Sequence, residues 1–169
     1  GTVVDAAIVD GSAHMMALLM TMRAGGMFRA QRGSSILDGP HWSRTYVCAD
    51  QGFISIQCLE PKFYAAFLQR LGLSDDPDFA RQNDPATWPD ASARLAAVFA
   101  TEPRDHWTAL FAGSDACVAP VLSPDEAASD PHLVARQTWA DTGGMMQPRP
   151  APRFDGQAAE PNPAPMRDQ

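Results

Sequence analysis

The sequence has few basic residues and few cysteines. Lysine and arginine total 13 against 20 aspartates and glutamates, so the formal net charge is −7 and the pI is about 4.9. This balance argues against a nucleic-acid backbone as a partner. The three cysteines, Cys48, Cys58 and Cys117, lack the CxxC or Cys/His spacing of a metal site. They indicate neither a disulfide framework nor a zinc site, so we expect a reducing, cytoplasmic compartment.

Long apolar runs are also missing. The most apolar early stretch, residues 13–22, ends at Arg23 and is too short for a membrane span, which needs about 20 residues. We therefore expect no membrane partner, and we find no glycine-rich phosphate loop. A hydrophobic fraction of 45% with 20% charged residues is typical of a folded domain. The 169 residues allow one domain with a real core, or one domain plus a docked arm.

The first 39 residues predict a strand, a helix and a connecting arm. The chain opens directly into Thr2-Val3-Val4-Asp5 without an initiator methionine, so we expect a fragment of a longer protein. Residues 2–7 suit a short buried strand, and apolar residues recur at helical spacing over residues 8–24. Gly25-Gly26 ends this helix, and residues 29–39 have no clear period.

Strands and helices then follow in a mixed order. Residues 44–58 predict a β-hairpin with an Asp-Gly turn at 49–52. Pro61 can occupy a first helical position, and the apolar stripe that follows predicts a helix over 61–71 closed by Gly72. Pro120 indicates an edge strand over 117–122, because proline cannot donate to a central ladder. Further helices are predicted over 89–100, 103–112, 124–129 and 131–136, before a proline-rich tail over 148–169.

Glu60 is the residue whose position best suits chemistry. It follows Cys58-Leu59 and precedes Pro61, so a strand end and a helix start would leave the carboxylate partly desolvated and close to helix amides. Taken alone, this pattern favours helix capping over catalysis.

Several motifs, in order along most of the chain, resemble the alpha-methylacyl-CoA racemases. They are Leu37-Asp38-Gly39, Ala49-Asp50 with Gly52, Leu59-Glu60-Pro61-Lys62-Phe63-Tyr64, Ser114-Asp115-Ala116-Cys117-Val118 with Pro120-Val121-Leu122, and Pro150-Ala151-Pro152-Arg153-Phe154. The opening Val4-Asp5-Ala6-Ala7 with Val9-Asp10-Gly11 resembles the same enzymes and, more loosely, the wider family III CoA-transferases.

This resemblance implies an α/β parent fold of which the chain is a C-terminal fragment. Residues 1–26 would form a strand and helix of the large domain, and residues 27–43 a linker arm. Residues 44–147 would form a small α+β domain with a short antiparallel sheet, and residues 148–169 the proline-rich tail.

The resemblance also implies an isomerase of fatty acid metabolism. Such an enzyme moves a proton between the two faces of the alpha carbon of a 2-methylacyl-CoA through an enolate, with CoA as part of the substrate and no metal or redox cofactor. In the family a His and an Asp flank the alpha carbon, and a Glu from the small domain hydrogen-bonds the Asp. Glu60 matches that Glu, whereas the His and Asp lie upstream of this chain.

Substrate contacts and partners follow from the same resemblance. Leu37 and Leu59 match apolar positions that face the acyl chain, and Ser43 or Trp42 replaces an aromatic lining residue of the family. The chain alone would be inactive, because its site needs the missing N-terminal half. Relatives form interlocked homodimers, so Glu60 would complete a partner's site.

Two alternatives remain open. The first is a family III CoA-transferase whose nucleophile is an upstream Asp. The second is a non-catalytic assembly or binding module, which would use the apolar side of residues 8–22 as an interface.

Other residues receive lesser predictions. We expect His14 to be packed or in contact with a partner, and Asp38 to form a turn. Of the histidines, His41 is the candidate for reaching a substrate, and Cys117 is expected to be a buried small hydrophobe.

Overall fold

The computed structural model describes residues 1–162, and contacts between Cα atoms divide the chain after Val121 into two compact units. The last seven residues of the predicted proline-rich tail lie outside the described residues. The first unit contains α1 (Ile8–Met15), α2 (Ala17–Ala24), β1 (Ser43–Val47), β2 (Phe53–Gln57), α3 (Pro61–Leu71), a 3-10 turn (Pro77–Phe79), α4 (Trp88–Phe99), α5 (Arg104–Phe111) and β3 (Val118–Val121). The second contains α6 (Pro124–Ser129), α7 (Pro131–Ala135), β4 (Trp139–Asp141) and β5 (Met146–Pro148).

A three-stranded antiparallel sheet organises the first unit. Its order is β1-β2-β3, with Tyr46 opposite Ile54 and Ile54 opposite Pro120. The hairpin is therefore confirmed, and so is the edge position of the strand that carries Pro120. Alternate residues point into the core, so Tyr46, Ile54 and Ile56 are all buried.

Aromatic side chains from three helices pack together in the core under this sheet. Phe67 of α3 stacks on Phe99 of α4 and on Phe111 of α5, with ring centroids 6.5 and 5.7 Å apart. Trp107 meets Phe99 edge-on at 5.0 Å. Offset and edge-on pairs of this kind add to the stabilisation from area burial.

Helix α3 begins and ends where the sequence predicts. Pro61 occupies the first helical turn, and Glu60 stands in extended backbone at the N-cap. Gly72 closes the helix in the left-handed region at φ 70°, which glycine adopts without a Cβ penalty. The helices predicted over 89–100 and 103–112 are also confirmed within one or two residues.

The second unit contains two capped short helices and a small hairpin. Ser123 and Glu126 form a reciprocal capping box on α6, and the Asp130 side chain accepts the Leu133 amide at the start of α7. Strands β4 and β5 pair with Trp139 opposite Pro148. This hairpin was not predicted, because its strands are only three residues long and lie next to the proline-rich segment.

Two predictions for the first 24 residues are wrong. Residues 2–7 form no strand, because no other strand among the described residues pairs with them. The single helix predicted over 8–24 is two helices that meet at Met16, whose amide bonds the Ala13 carbonyl three residues back. His14 is exposed, which leaves contact with a partner as the remaining prediction for it.

Candidate active site

Glu60 stands at the junction between β2 and α3. Its backbone is extended (φ −74°, ψ 139°), and its carbonyl accepts the amides of Phe63 and Tyr64, both at 3.0 Å. The carboxylate is exposed and does not cap the helix. Capping, which the local pattern favours, is therefore not the role of this side chain in the structure. The carboxylate is available to a group outside the helix.

The charge of Glu60 affects the pKa of the Cys117 thiol. Partial burial raises the pKa of the Cys117 thiol, the carboxylates of Glu60 and Asp115 raise it further, and the Lys62 ammonium lowers it. Cys117 is exposed, which corrects the expectation that it is buried. Its backbone adopts φ 52° before β3 begins, so the side chain is not held in the alternating pattern of that strand.

The two leucines predicted to face an acyl chain both present apolar surface to the outside. Leu37 is 47% exposed and Leu59, next to Glu60, is 46% exposed. Ser43, at the start of β1, is half-buried and donates its hydroxyl to Oε1 of Gln57 on β2 at 2.8 Å. These positions leave the three substrate-contact assignments as predictions.

Trp42 does not fit the predicted lining role. Its indole is 1% exposed, and its Nε1 donates to the backbone carbonyl of Gln82 at 2.9 Å. A side chain enclosed in this way packs the core and has no surface to offer an acyl chain. The backbone of Trp42 also takes part in the fold, because its carbonyl accepts the Cys58 amide at the end of the hairpin.

His41 is also a core residue, so the structure does not support the contact with substrate that the sequence left open for it. The Tyr64 hydroxyl donates to the Phe79 carbonyl at 3.0 Å and lies 2.7 Å from Nε2 of His41. A hydroxyl has one proton to donate, so Nε2 of His41 is the donor to Tyr64. The Tyr46 hydroxyl donates to the His41 carbonyl at 2.7 Å.

Burial sets the charge state of this histidine. It lowers the pKa of His41 to about 4, and the nearby Arg44 guanidinium acts in the same direction. The ring is therefore neutral near pH 7, with its proton on Nε2. The other nitrogen, Nδ1, is buried without a hydrogen-bond partner.

Gln82 is the residue near Glu60 that the sequence does not reveal. It is 9% exposed, and its side-chain amide donates to the carbonyls of Cys58 and Leu59 at 3.1 and 2.9 Å. Nothing in the pattern around it indicates burial, because it lies between Arg81 and Asn83 in a polar loop.

Asp38 forms the predicted turn. Its carboxylate accepts the amides of Gly33 and Ser35 and the Ser35 hydroxyl. These bonds lower the pKa of Asp38, the one from Gly33 most. The carboxylate is therefore occupied with fixing the segment that carries Leu37.

A family model provides the decisive comparison. The model described as "CoA-transferase family III" matches residues 1–169. The chain belongs to CoA-transferase family III. Within this family it is 36% identical to the mouse protein "Alpha-methylacyl-CoA racemase" over 165 residues, and 34% identical to the human protein of that name over 155 residues. The predicted resemblance is thus confirmed.

Coverage shows that the chain matches only part of these family members. The matches cover 96% and 90% of this chain, but 43% and 40% of the mouse and human proteins. "Acetyl-CoA:oxalate CoA-transferase" of Acetobacter aceti is 28% identical over 88% of the chain and 39% of its own length.

A solved structure of similar fold supports this architecture. A crystal structure of Rv3272 from M. tuberculosis matches with a TM-score of 0.67 at 17% identity, over 95% of this chain and 42% of that one. The chain therefore has mixed helices and small antiparallel sheets of the family fold. The domain boundaries predicted at residues 27, 44 and 148 stay predictions.

Residues 1–162 provide neither a cluster of metal ligands nor a membrane-spanning helix. They contain no group of three or more His, Cys, Asp or Glu side chains placed to hold a metal ion. None of their helices combines the length and apolarity needed to cross a bilayer.

Proposed function

We propose that this chain forms the Glu60-bearing part of a CoA-thioester racemase or epimerase. The observation that carries the proposal is the exposed, uncapped carboxylate of Glu60 at the β2–α3 junction. The 36% identity to the mouse racemase supports this assignment. So does the position of Leu59, a half-exposed apolar side chain next to the carboxylate.

The reaction is a 1,1-proton transfer at the alpha carbon of a 2-methylacyl-CoA. A base removes the alpha proton, the electron pair of the C–H bond delocalises into the thioester as an enolate, and an acid returns a proton to the opposite face. No atom is gained or lost overall. The acid and base are a His and an Asp from outside this chain, and Glu60 hydrogen-bonds the Asp. Two carboxyls that share a site hold one proton between them, which equips the pair to act as an acid near neutral pH.

Deuterium incorporation tests this reaction. The complete enzyme is incubated with (2R)-methylacyl-CoA in deuterated water and no added acid, and the alpha carbon is followed by mass spectrometry and NMR. Racemisation predicts one deuterium at that carbon together with the appearance of the 2S epimer. Absence of both would reject the racemase proposal.

A family III CoA-transferase is the second candidate. The similarity to the Acetobacter aceti CoA-transferase favours it. An upstream Asp carboxylate would attack the thioester carbonyl and release CoA thiolate, leaving a mixed anhydride. The thiolate would attack the Asp carbonyl of this anhydride, releasing the donor acid and forming an aspartyl-CoA thioester. The acceptor carboxylate would displace CoA thiolate to form a second mixed anhydride, and the thiolate would then take the acceptor acyl group and free the Asp. Turnover that requires a free acid acceptor, with no deuterium at the alpha carbon, would favour transfer.

An assembly role is the third candidate, and the surface of α1 and α2 favours it. Neither helix buries a residue, and large apolar side chains, Ile8, Val9, Met15 and Leu18 among them, are exposed. A second copy of the protein or the upstream half would cover them, as in an interlocked homodimer. Sedimentation of the chain alone as a dimer or heteromer supports this role, and a stable monomer opposes it.

A further inference from the structure

Gln82 joins the segment before Glu60 to the aromatic core. It lies between the 3-10 turn and α4, and its Nε2 donates to two successive carbonyls, those of Cys58 and Leu59. Both partners are backbone acceptors, so the amide must present its NH₂ group to them, and one proton serves each carbonyl. One nearly buried side chain thus fixes two consecutive peptide groups.

The backbone of Gln82 is held in turn by two indoles. Nε1 of Trp42 and Nε1 of Trp88 both donate to the Gln82 carbonyl at 2.9 Å. Trp42 and Trp88 are themselves buried, so neither bond competes with bulk water. The side-chain amide therefore extends from an anchored backbone, and its position is determined before it meets the 58–59 carbonyls.

This arrangement determines where the Glu60 side chain leaves the backbone. The Leu59 carbonyl belongs to the peptide group that contains the Glu60 nitrogen, so the bond from Gln82 orients that peptide plane. On the other side, Pro61 restricts Glu60 to the extended region, where it is found. The direction of the Glu60 Cα–Cβ bond is thus set from both sides, although the carboxylate does not cap its own helix.

We propose that Gln82 is a positioning residue for Glu60 in the proton-transfer reaction. The inference rests on the proposed function, since it assigns Gln82 a role only through the Glu60 carboxylate. Gln82 itself does not touch the reacting atoms in this account. Small displacements of a catalytic group cost large factors in rate, so loosening the 58–60 segment should lower turnover far more than substrate binding.

A double-mutant cycle in the complete enzyme tests the proposal. Gln82→Met keeps the length of the side chain and removes both donors, and Gln69→Met removes an exposed glutamine amide from α3 as the matched control. Each change is made alone and together with Glu60→Gln. Deuterium incorporation into (2R)-methylacyl-CoA gives kcat and KM, and near-ultraviolet circular dichroism gives the folded fraction at the assay temperature. Gln82→Asn, which keeps the amide on a shorter stem, serves if Gln82→Met does not fold.

The expected result has three parts. Gln82→Met lowers kcat about tenfold with KM within about twofold. Gln82→Met lowers kcat no further when Glu60 is already glutamine, because Gln82 acts only through the Glu60 carboxylate. Gln69→Met leaves both constants unchanged.

Two results would overturn the proposal, and they differ from failure of the proposed function. One is an unchanged kcat in folded Gln82→Met, and the other is an equal loss with and without Glu60, which marks a merely structural role. The proposed role of Glu60 fails separately if Glu60→Gln alone keeps the full exchange rate, and the inference fails with it.

Discussion

Nε2 of His41 and the hydroxyl of Tyr64 form a 2.7 Å hydrogen bond inside the core of the first unit. The bond fixes the arm before β1 to helix α3, whose first turn follows Glu60. It also sets the tautomer of His41, because the Tyr64 proton is already given to the Phe79 carbonyl. The stability of the scaffold under Glu60 therefore depends on a histidine that stays neutral.

Acid should weaken this scaffold in a pH window set by His41. Its pKa is about 4 in the folded protein and about 6.5 when unfolded, so the unfolded state binds more protons between these values. The contribution of neutral His41 to the free energy of unfolding is complete above pH 6.5. It is lost as the pH falls towards 4, and the loss reaches about 3 kcal/mol. Urea unfolding at pH 7.5, 6, 5 and 4.5 measures this loss. The carboxylates of Asp38 and Asp76, with pKa values below the ordinary 3.8, act only at lower pH.

The variant His41→Phe isolates the contribution of His41 to the pH dependence of stability, because it removes the titrating ring from the core. Its free energy of unfolding should fall less steeply between pH 6.5 and 4.5 than that of the unmodified protein. His14→Phe, at an exposed histidine, should keep the original slope. Parallel curves for the unmodified protein and His41→Phe would contradict the assigned pKa.

Removing the Tyr64 hydroxyl should destabilise the protein. Tyr64→Phe leaves the Nε2 proton of His41 and the Phe79 carbonyl without this shared partner in the core. Two buried polar groups lose a bond, so the expected cost is about 1–3 kcal/mol in urea unfolding at pH 7.5. A cost below about 0.5 kcal/mol would show that the hydroxyl bonds contribute little.

Gly39 should not tolerate a side chain. A Cβ at this position would come within 2.7 Å of a ring carbon of Trp88 and 2.8 Å of the Gly33 carbonyl oxygen. Because Trp88 is anchored through Gln82, we expect Gly39→Ala to cost about 1–3 kcal/mol in urea unfolding. Gly25→Ala is the matched control, since its nearest neighbour would be 3.5 Å away. Equal stability of the two variants would contradict the packing described here.

Thiol labelling should report the proximity of Glu60 and Cys117. In the native protein the exposed Cys117 should react with a disulfide reagent at pH 8, while the buried Cys48 and Cys58 react only after unfolding. Burial raises the pKa of Cys58 to about 12, which protects it further. Glu60→Gln removes a charge that raises the pKa of Cys117, so labelling should accelerate about twofold. Glu102→Gln should leave the rate unchanged, and an equal rate in both variants would place Glu60 elsewhere.

Local patterns predict the parts of the fold that local chemistry determines. Helix α3 has a proline at its start, an apolar stripe and a glycine at its end, and all three act within a few residues. The edge position of β3 follows from the missing amide of Pro120. The capped starts of α6 and α7 follow from Ser123 and Asp130 in the same way.

Features that depend on distant partners were not predictable. Residues 2–7 have strand composition, yet composition does not supply a neighbouring strand. Trp42 and His41 lie in a segment without periodicity, and their burial comes from Gln82 and Tyr64, which are 40 and 23 residues away. The prediction for Cys117 failed because its backbone adopts a positive φ that strand patterns do not anticipate.

The role proposed for Glu60 comes only from resemblance. The local pattern favours a cap, and the structure leaves the carboxylate uncapped and exposed. Gln82 gave no signal at all, because one glutamine in a polar loop looks the same whether it faces water or two buried carbonyls.

The most direct test of the central claim is the alpha-carbon exchange rate of Glu60→Gln in the complete enzyme. The substitution preserves size and removes the ionisable group, and Glu102→Gln provides an exposed glutamate of the same chain as control. Gel filtration checks that both variants keep the assembly state of the unmodified enzyme. We expect Glu60→Gln to lower deuterium incorporation into (2R)-methylacyl-CoA at least tenfold, within the range that acid–base groups contribute, with Glu102→Gln unchanged. An unchanged rate in correctly assembled Glu60→Gln would remove this glutamate from the mechanism.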